Sequence, residues 1–159
     1  MALIILYDLE NNLLLQHRTK DAAVLPDYWA FFGGGIKEGE TPEDAVRREA
    51  FEELNYELKF PQLFIEQDFK INDAEGHMYI FIEAFNAYKS ELKLQEGQGW
   101  GWFRDDEIDS LEMVFRDRCI IKSLGLFIDK ISWCQEKLAI FRVSKKEKDQ
   151  RAGPRWWRS

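Results

Sequence analysis

The chain has 159 residues and a net charge of −7, and 45% of its residues are hydrophobic. This length predicts one domain with its own core, and the acidic balance argues against a general nucleic-acid-binding surface. The two cysteines have no zinc-site spacing, and the apolar N-terminal run is too short for a signal peptide or a membrane span. We therefore expect a cytoplasmic protein without membrane contact.

The first predicted elements are two strands. Residues 2–7 and 13–18 are apolar runs around a Glu-Asn-Asn turn, which predicts a β-hairpin. A small basic cluster of His17, Arg18 and Lys20 lies at its end. A solvated strand end explains this cluster as well as a phosphate contact does. The second interpretation favours arginine, whose guanidinium is a planar fork of donors.

Aromatic residues lead into a glycine-rich loop. Tyr28, Trp29, Phe31 and Phe32 precede Gly33, Gly34 and Gly35. Rings at this position can pack in the sheet or stack on a nucleobase, and we expect packing for Phe32 while keeping it as a candidate for substrate contact. Glycines allow the backbone to turn tightly or to approach a ligand closely, and Gly35 is assigned to substrate on this ground.

A capped helix follows the glycines. Thr41 is a predicted N-cap, Pro42 suits the first helical position, and Asp44 completes a pattern similar to a capping box. Asn55 is expected to end the helix in the left-handed conformation. Glu49, Glu52 and Glu53 share one face of this helix. A solvated acidic face and a magnesium site are about equally supported by the spacing alone.

The stretch from Gly34 to Tyr56 resembles the Nudix box, Gly-x5-Glu-x7-Arg-Glu-U-x-Glu-Glu-x-Gly-U, where U is a bulky apolar residue. The six glycine or charged positions match in register: Gly34, Glu40, Arg48, Glu49, Glu52 and Glu53. Ala50 is smaller than the first U position requires, and Asn55 replaces the last glycine. Both departures lie at packing or capping positions, so the functional residues are intact.

The resemblance implies a Nudix α/β/α sandwich, with a mixed β-sheet between helices, and a Mg²⁺-dependent hydrolase, with Mn²⁺ as an alternative ion. It assigns the metal to Gly34, Glu49, Glu52, Glu53 and Glu96, and the catalytic roles to Glu53, Glu96, Glu52 and Arg48. Either Glu53 or Glu96 would take a proton from the attacking water. Arg48 would orient a carboxylate, because an i,i+4 pair with Glu52 fixes geometry.

The remaining elements carry two further site assignments. Residues 57–69 and 78–87 are predicted strands around a turn that contains His77, and residues 117–127 are a predicted helix. Glu96 lies in a Glu-Gly-Gln loop similar to the MutT loop that carries a metal-site carboxylate, and Glu91 is the competitor. Asp117 is expected to cap its helix, with contact to a purine as the functional alternative. The MutT resemblance also favours Arg18 over Lys20 for phosphate binding.

We predict a Nudix domain at residues 1–143 and a basic tail at residues 144–159. The MutT-like features favour a nucleoside triphosphate, such as an oxidised purine nucleotide, cleaved to monophosphate and pyrophosphate. A nucleoside diphosphate sugar of the ADP-ribose or GDP-mannose type is the first alternative, and such members are often homodimers. A catalytically silent nucleotide-binding module is the second alternative, and the intact box glutamates argue against it.

Overall fold

The computed structural model describes residues 1–71, 74–128 and 130. The chain divides into two compact units, Met1–Ile121 and Lys122–Ser159. In the second unit, residues 122–128 are helical. The predicted domain boundary at residue 143 and the basic tail lie outside the described residues. None of the described helices is long and apolar enough to cross a membrane.

Seven strands of the first unit form one mixed sheet. Its main order is β3-β2-β1-β6-β5, with β4 paired to β1 and β7 paired to β2. Strands β1 and β6 are parallel, and every other pair is antiparallel. The strands are β1 Ala2–Tyr7, β2 Leu13–His17, β3 Trp29–Ala30, β4 Phe32–Gly34, β5 Gln62–Ile71, β6 Ala74–Ala84 and β7 Gly99–Phe103. The predicted α/β class with a mixed sheet is thereby confirmed.

The first hairpin is confirmed, and its turn is built on Asp8. The Asp8 carboxylate accepts hydrogen bonds from the backbone amides of Glu10 and Asn12, each at 2.9 Å, and from the Asn12 side chain. This is the local pairing that makes Asp a turn residue. The apolar runs on either side are buried because β1 lies between neighbours in the sheet.

The predicted turn around His77 is wrong. After one register irregularity between Leu63 and Ile65, strands β5 and β6 pair as far as Ile71 and Ala74, and His77 lies opposite Asp68 within this ladder. The His77 ring is held between two carboxylates of β5, with Nδ1 2.8 Å from Asp68 and Nε2 3.1 Å from Glu66. These cross-strand pairs extend the strand through residues that the sequence pattern assigns to a turn.

The helix that follows the glycines is α1, Pro42–Leu54, and its predicted caps are confirmed. The Thr41 hydroxyl accepts from the Asp44 amide, and the Asp44 carboxylate accepts from the Thr41 amide, which closes the capping box. Asn55 ends the helix with φ 52° and ψ 36°, the left-handed conformation. Helix α1 packs on the sheet through Ala45, Val46, Ala50 and Leu54, which belong to the main core.

The described part of the first unit also contains a 3₁₀ helix at Lys89–Glu91, α2 at Asp105–Ile108 and helical residues 115–121. The helix that was predicted at residues 117–127 begins at residue 115, before Asp117, so the expectation that Asp117 is its N-cap is wrong. The Asp117 side chain is instead buried and paired with Arg116, with Oδ1 2.6 Å from the guanidinium.

Candidate active site

Glu53 is the most deeply buried carboxylate of the box. Its side chain turns from α1 toward β4, where its Oε2 accepts a hydrogen bond of 2.6 Å from the backbone amide of Gly33, and the residue is 7% exposed. Burial is the main cause that raises its pKa to about 8, and the charges of Glu49 and Glu96 raise it further. A carboxyl group poised near neutral pH is suited to proton transfer.

Gly34 leaves room for Glu49. A Cβ atom at Gly34 would lie 2.8 Å from both carboxylate oxygens of Glu49, which is closer than such atoms can approach. The box glycine therefore allows Glu49 to keep this position, because any other residue would place a Cβ in the space that the Glu49 carboxylate occupies. At the third glycine, Gly35, an added Cβ would meet nothing within 4 Å.

Arg48 connects the remaining box residues. Its guanidinium donates to Glu40 at 2.6 and 3.0 Å, to Glu52 at 3.0 Å, to Glu49, and to the backbone carbonyl of Gly35 at 2.9 Å. Arg48 lowers the pKa of Glu40 to about 2 through these hydrogen bonds. This geometry agrees with the expected orienting role, because one planar fork fixes three carboxylates and the glycine loop.

Arg18, Glu53 and Glu96 line the same small cavity of about 110 Å³, which the remaining lining residues complete: Gln16, Thr19, Ala22 and Gly97. The Arg18 guanidinium donates through Nε to the Val24 carbonyl at 2.9 Å, which leaves its terminal nitrogens for another acceptor. The structure thus brings together one cation from the residue that follows β2, one carboxylate from α1 and one from the loop before β7.

Gln16 is a cavity residue that the sequence analysis missed. It is 4% exposed, and its Nε2 donates to the Phe31 carbonyl at 2.7 Å. The signal for it was available, because a lone amide follows three leucines in a strand that is otherwise buried. A buried polar side chain at a strand end is often part of a site, since its burial must be compensated by hydrogen bonds.

Two predicted substrate contacts do not reach this cavity. Phe32 is 1% exposed and belongs to the main core, so it has no free face for a nucleobase and its candidacy is corrected. Asp117 is 3% exposed and bound by Arg116, and burial raises its pKa. A base contact by Asp117 would require this ion pair to open, so that assignment is corrected as well.

The donor chemistry fits a hard divalent cation. Glu49, Glu52, Glu53 and Glu96 offer only oxygen ligands, which Mg²⁺ prefers. Glu49 and Glu96 also raise the pKa of Glu53, so negative charge is concentrated where a cation would relieve it. Within residues 1–71 and 74–128, no three acidic, histidine or cysteine side chains are already gathered as a metal cage.

A second and larger cavity, of about 730 Å³, lies at the carboxyl end of α1 and contains none of the predicted site residues. Its buried carboxylate, Glu83, already accepts hydrogen bonds from the Tyr56 hydroxyl and from the backbone amides of Lys59 and Phe60. These bonds give Glu83 a structural role, so the smaller cavity is the candidate active site.

The NUDIX domain family model matches residues 1–124, and the chain belongs to the Nudix family. It is a MutT-like Nudix pyrophosphohydrolase. It is 29% identical over 131 residues to the nucleoside triphosphatase NudI of Enterobacter sp. (strain 638), which covers 74% of this chain and 92% of that protein.

Solved structures show the same fold. A MutT protein from Methanosarcina mazei Go1 superposes with a TM-score of 0.67 at 18% identity, covering 78% of this chain and 90% of that one. The NUDIX domain of Shewanella oneidensis NrtR, complexed with ADP ribose, also gives 0.67, at 15% identity over 80% of this chain and 86% of that one. These likenesses confirm the predicted Nudix sandwich.

Proposed function

We propose that the protein is a Mg²⁺-dependent hydrolase that cleaves a nucleoside triphosphate to nucleoside monophosphate and pyrophosphate. The observation that carries this proposal is the shared cavity of Arg18, Glu53 and Glu96 beside the box carboxylates. The 29% identical relative is a nucleoside triphosphatase, which supports the choice of a triphosphate. An oxidised purine nucleotide is the first substrate to test.

The roles of the chain's own residues follow from their contacts. Glu49, Glu52, Glu53 and Glu96, with the Gly34 carbonyl, are the proposed ligands of the ion. When bound, Mg²⁺ or Mn²⁺ supplies neutralisation of the phosphate oxygens and makes water more acidic. Glu53 or Glu96 accepts a proton from the attacking water.

Arg18 and Arg48 have different proposed roles. Arg18 binds a phosphate oxygen with the guanidinium nitrogens that are not used by the Val24 carbonyl. Arg48 holds Glu40, Glu49 and Glu52 in place and does not contact substrate. Gly35 is proposed to allow close approach of the triphosphate, since the space that a Cβ would occupy there is open.

Product identification on a nucleotide panel tests the proposal. The purified protein is incubated with Mg²⁺ and each of the common and oxidised nucleoside triphosphates, and the products are separated. Monophosphate and pyrophosphate in equal amounts support the proposal, and release of inorganic phosphate contradicts it. Glu53→Gln should abolish the reaction, whereas Glu57→Gln, an exposed glutamate paired with Lys59, should leave it unchanged.

A nucleoside diphosphate sugar is the second candidate. The observation that favours it is the fold neighbour whose NUDIX domain is complexed with ADP ribose. ADP-ribose and GDP-mannose therefore belong on the same panel, where a sugar phosphate would identify this activity. We expect a homodimer under this alternative, and sedimentation of the purified protein would reveal it. Tight nucleotide binding without turnover would instead identify a silent module.

A further inference from the structure

Three polar side chains connect the loop that carries Glu96 to the loop that follows β2. Gln98 donates through Nε2 to Asp27 Oδ1 at 2.6 Å. His17 Nε2 lies 3.1 Å from the same Asp27 oxygen and 3.2 Å from Gln98 Nε2. We refer to His17, Asp27 and Gln98 as the polar clasp.

Backbone contacts place the polar clasp directly beside the cavity. The Gln98 amide donates to the His17 carbonyl at 3.0 Å, and the Arg18 amide donates to the Tyr28 carbonyl at 2.9 Å. Arg18, the cation of the cavity, directly follows His17. Glu96, the carboxylate that the loop contributes to the cavity, lies two residues before Gln98. Any shift of the polar clasp must move one or both of these groups.

Positive-φ backbone occurs on both sides of the polar clasp. Asp27 has φ 63°, a left-handed conformation that costs most residues about 1–2 kcal/mol, although Asp tolerates it better than most. This conformation persists because surrounding contacts hold it. Gly97 has φ 90°, which glycine adopts freely, and a Cβ there would lie 3.2 Å from the His17 carbonyl oxygen. The His17 ring is itself fixed, because it stacks on Trp29 with the centroids 4.7 Å apart.

We propose that the polar clasp positions Glu96 relative to Arg18 and thereby sets the rate of the chemical step. This inference rests on the function proposed above. His17, Asp27 and Gln98 are positioning residues, since they line neither the cavity nor the box. The Asp27–Gln98 bond is the element that joins the two loops through side chains, so it is the place to break and restore the connection.

A reversed hydrogen bond provides the test. Gln98→Glu places a second carboxylate against Asp27, so the bond becomes a repulsion. Adding Asp27→Asn restores a donor and an acceptor in the opposite direction, and Asn suits the left-handed conformation at residue 27. Gln62→Glu is the matched control, because it adds the same charge to exposed Gln62 at the start of β5.

Two readouts are followed for each variant. Loss of a charged hydrogen bond predicts that Gln98→Glu lowers kcat about tenfold or more, with a smaller change in KM. Hydrogen exchange of the residue 98 amide should accelerate by about the same factor, because its bond to the His17 carbonyl depends on the clasp. The double variant should recover both values to within about threefold, and the control should change neither.

Each failure has a separate meaning. The positioning role is overturned if Gln98→Glu has the same kcat and the same residue 98 amide exchange rate as the control. It is also overturned if the double variant does not recover these two values. Hydrogen exchange needs no substrate, so the clasp is tested even if the wild-type protein hydrolyses no triphosphate. That second result would overturn the proposed function and, with it, the effect of the clasp on kcat.

Discussion

Three adjacent glycines make the sharpest test of the site, because an added methyl group meets different surroundings at each of them. Substitution to alanine should damage the fold at Gly33, should damage the activity at little cost in stability at Gly34, and should leave stability unchanged at Gly35. All three variants add one methyl group within three residues, so composition and charge are matched.

Gly33→Ala should unfold most easily. Gly33 has φ 121°, a region that is essentially restricted to glycine and costs other residues about 1–3 kcal/mol. The added Cβ would also contact the Ala2 carbonyl and lie 2.9 Å from the Leu3 Cα, both of which belong to the neighbouring strand β1. Backbone cannot move as a side chain can, so we expect a loss of about 2–4 kcal/mol of unfolding free energy.

Gly34→Ala should lose activity with little loss of stability. The atoms nearest to its new Cβ belong to the end of the Glu49 side chain, which can rotate away. Glu49 would then leave its position and its ion pair with Arg48. A displacement of about 1 Å at a reacting centre can cost 10²-fold in rate. We therefore expect a loss of between about 10- and 100-fold in kcat, and about 1 kcal/mol in stability.

Gly35→Ala is the control for stability, since nothing lies within 4 Å of its added Cβ, and its stability should change by about 0.5 kcal/mol or less. Urea unfolding followed by tryptophan fluorescence measures stability, and pyrophosphate release measures rate. If Gly34→Ala were as active as the wild type, Glu49 would not be needed in its present position. If Gly33→Ala were as stable as Gly35→Ala, the argument from backbone contact would be refuted.

Other predictions concern charge. Glu53→Gln should abolish hydrolysis yet stabilise the metal-free protein. The pKa of Glu53 is about 8 in the folded state against 4.5 for a free glutamate, so the wild type loses stability as pH rises between these values, and the variant does not. Parallel curves of stability against pH would contradict this. Mg²⁺ should raise the Tm of the wild type, a chelator should abolish its turnover, and Glu53→Gln should show a smaller Tm shift. Arg18→Ala should raise KM more than about tenfold, with Lys20→Ala as the control. Asp68, and to a smaller extent Glu66, raise the pKa of His77 in the folded state, so the protonated ring stabilises the protein fully below pH 6.5. This stabilisation is lost as pH rises through the raised pKa. Thermal unfolding of His77→Asn, measured over the same pH range, should lack this loss of stability.

Local signals in the sequence were sufficient for α1 and for the box. Thr41, Asp44 and Asn55 act within one turn of the helix ends, so their roles depend on near neighbours that the sequence displays. The glycine at position 34 is equally readable, because the box pattern places Glu49 at a fixed distance along the chain. Fold class followed from the same patterns and from the resemblance.

The errors came from tertiary contacts. Phe32 and Asp117 have types that suit a nucleotide site, but both side chains are buried: Phe32 lies in the main core, and Asp117 is paired with Arg116. His77 was placed in a turn because its strand is defined by a partner, Asp68, and not by its own neighbours. The Asp27–Gln98 bond joins residues 71 positions apart, so no local pattern indicates it.

The arrangement of Arg48 explains why one carboxylate differs from the others. Arg48 forms ion pairs with Glu40, Glu49 and Glu52, which hold these three side chains in place. Glu53 receives a backbone hydrogen bond instead, and Arg18 influences it only as a more distant charge. The helix thus separates the carboxylates into an ordered set and one buried group with a raised pKa. This division follows from α1 geometry, because residues four apart share a face while burial against β4 selects only Glu53. A proton acceptor and a set of fixed ligands can therefore come from one helical turn.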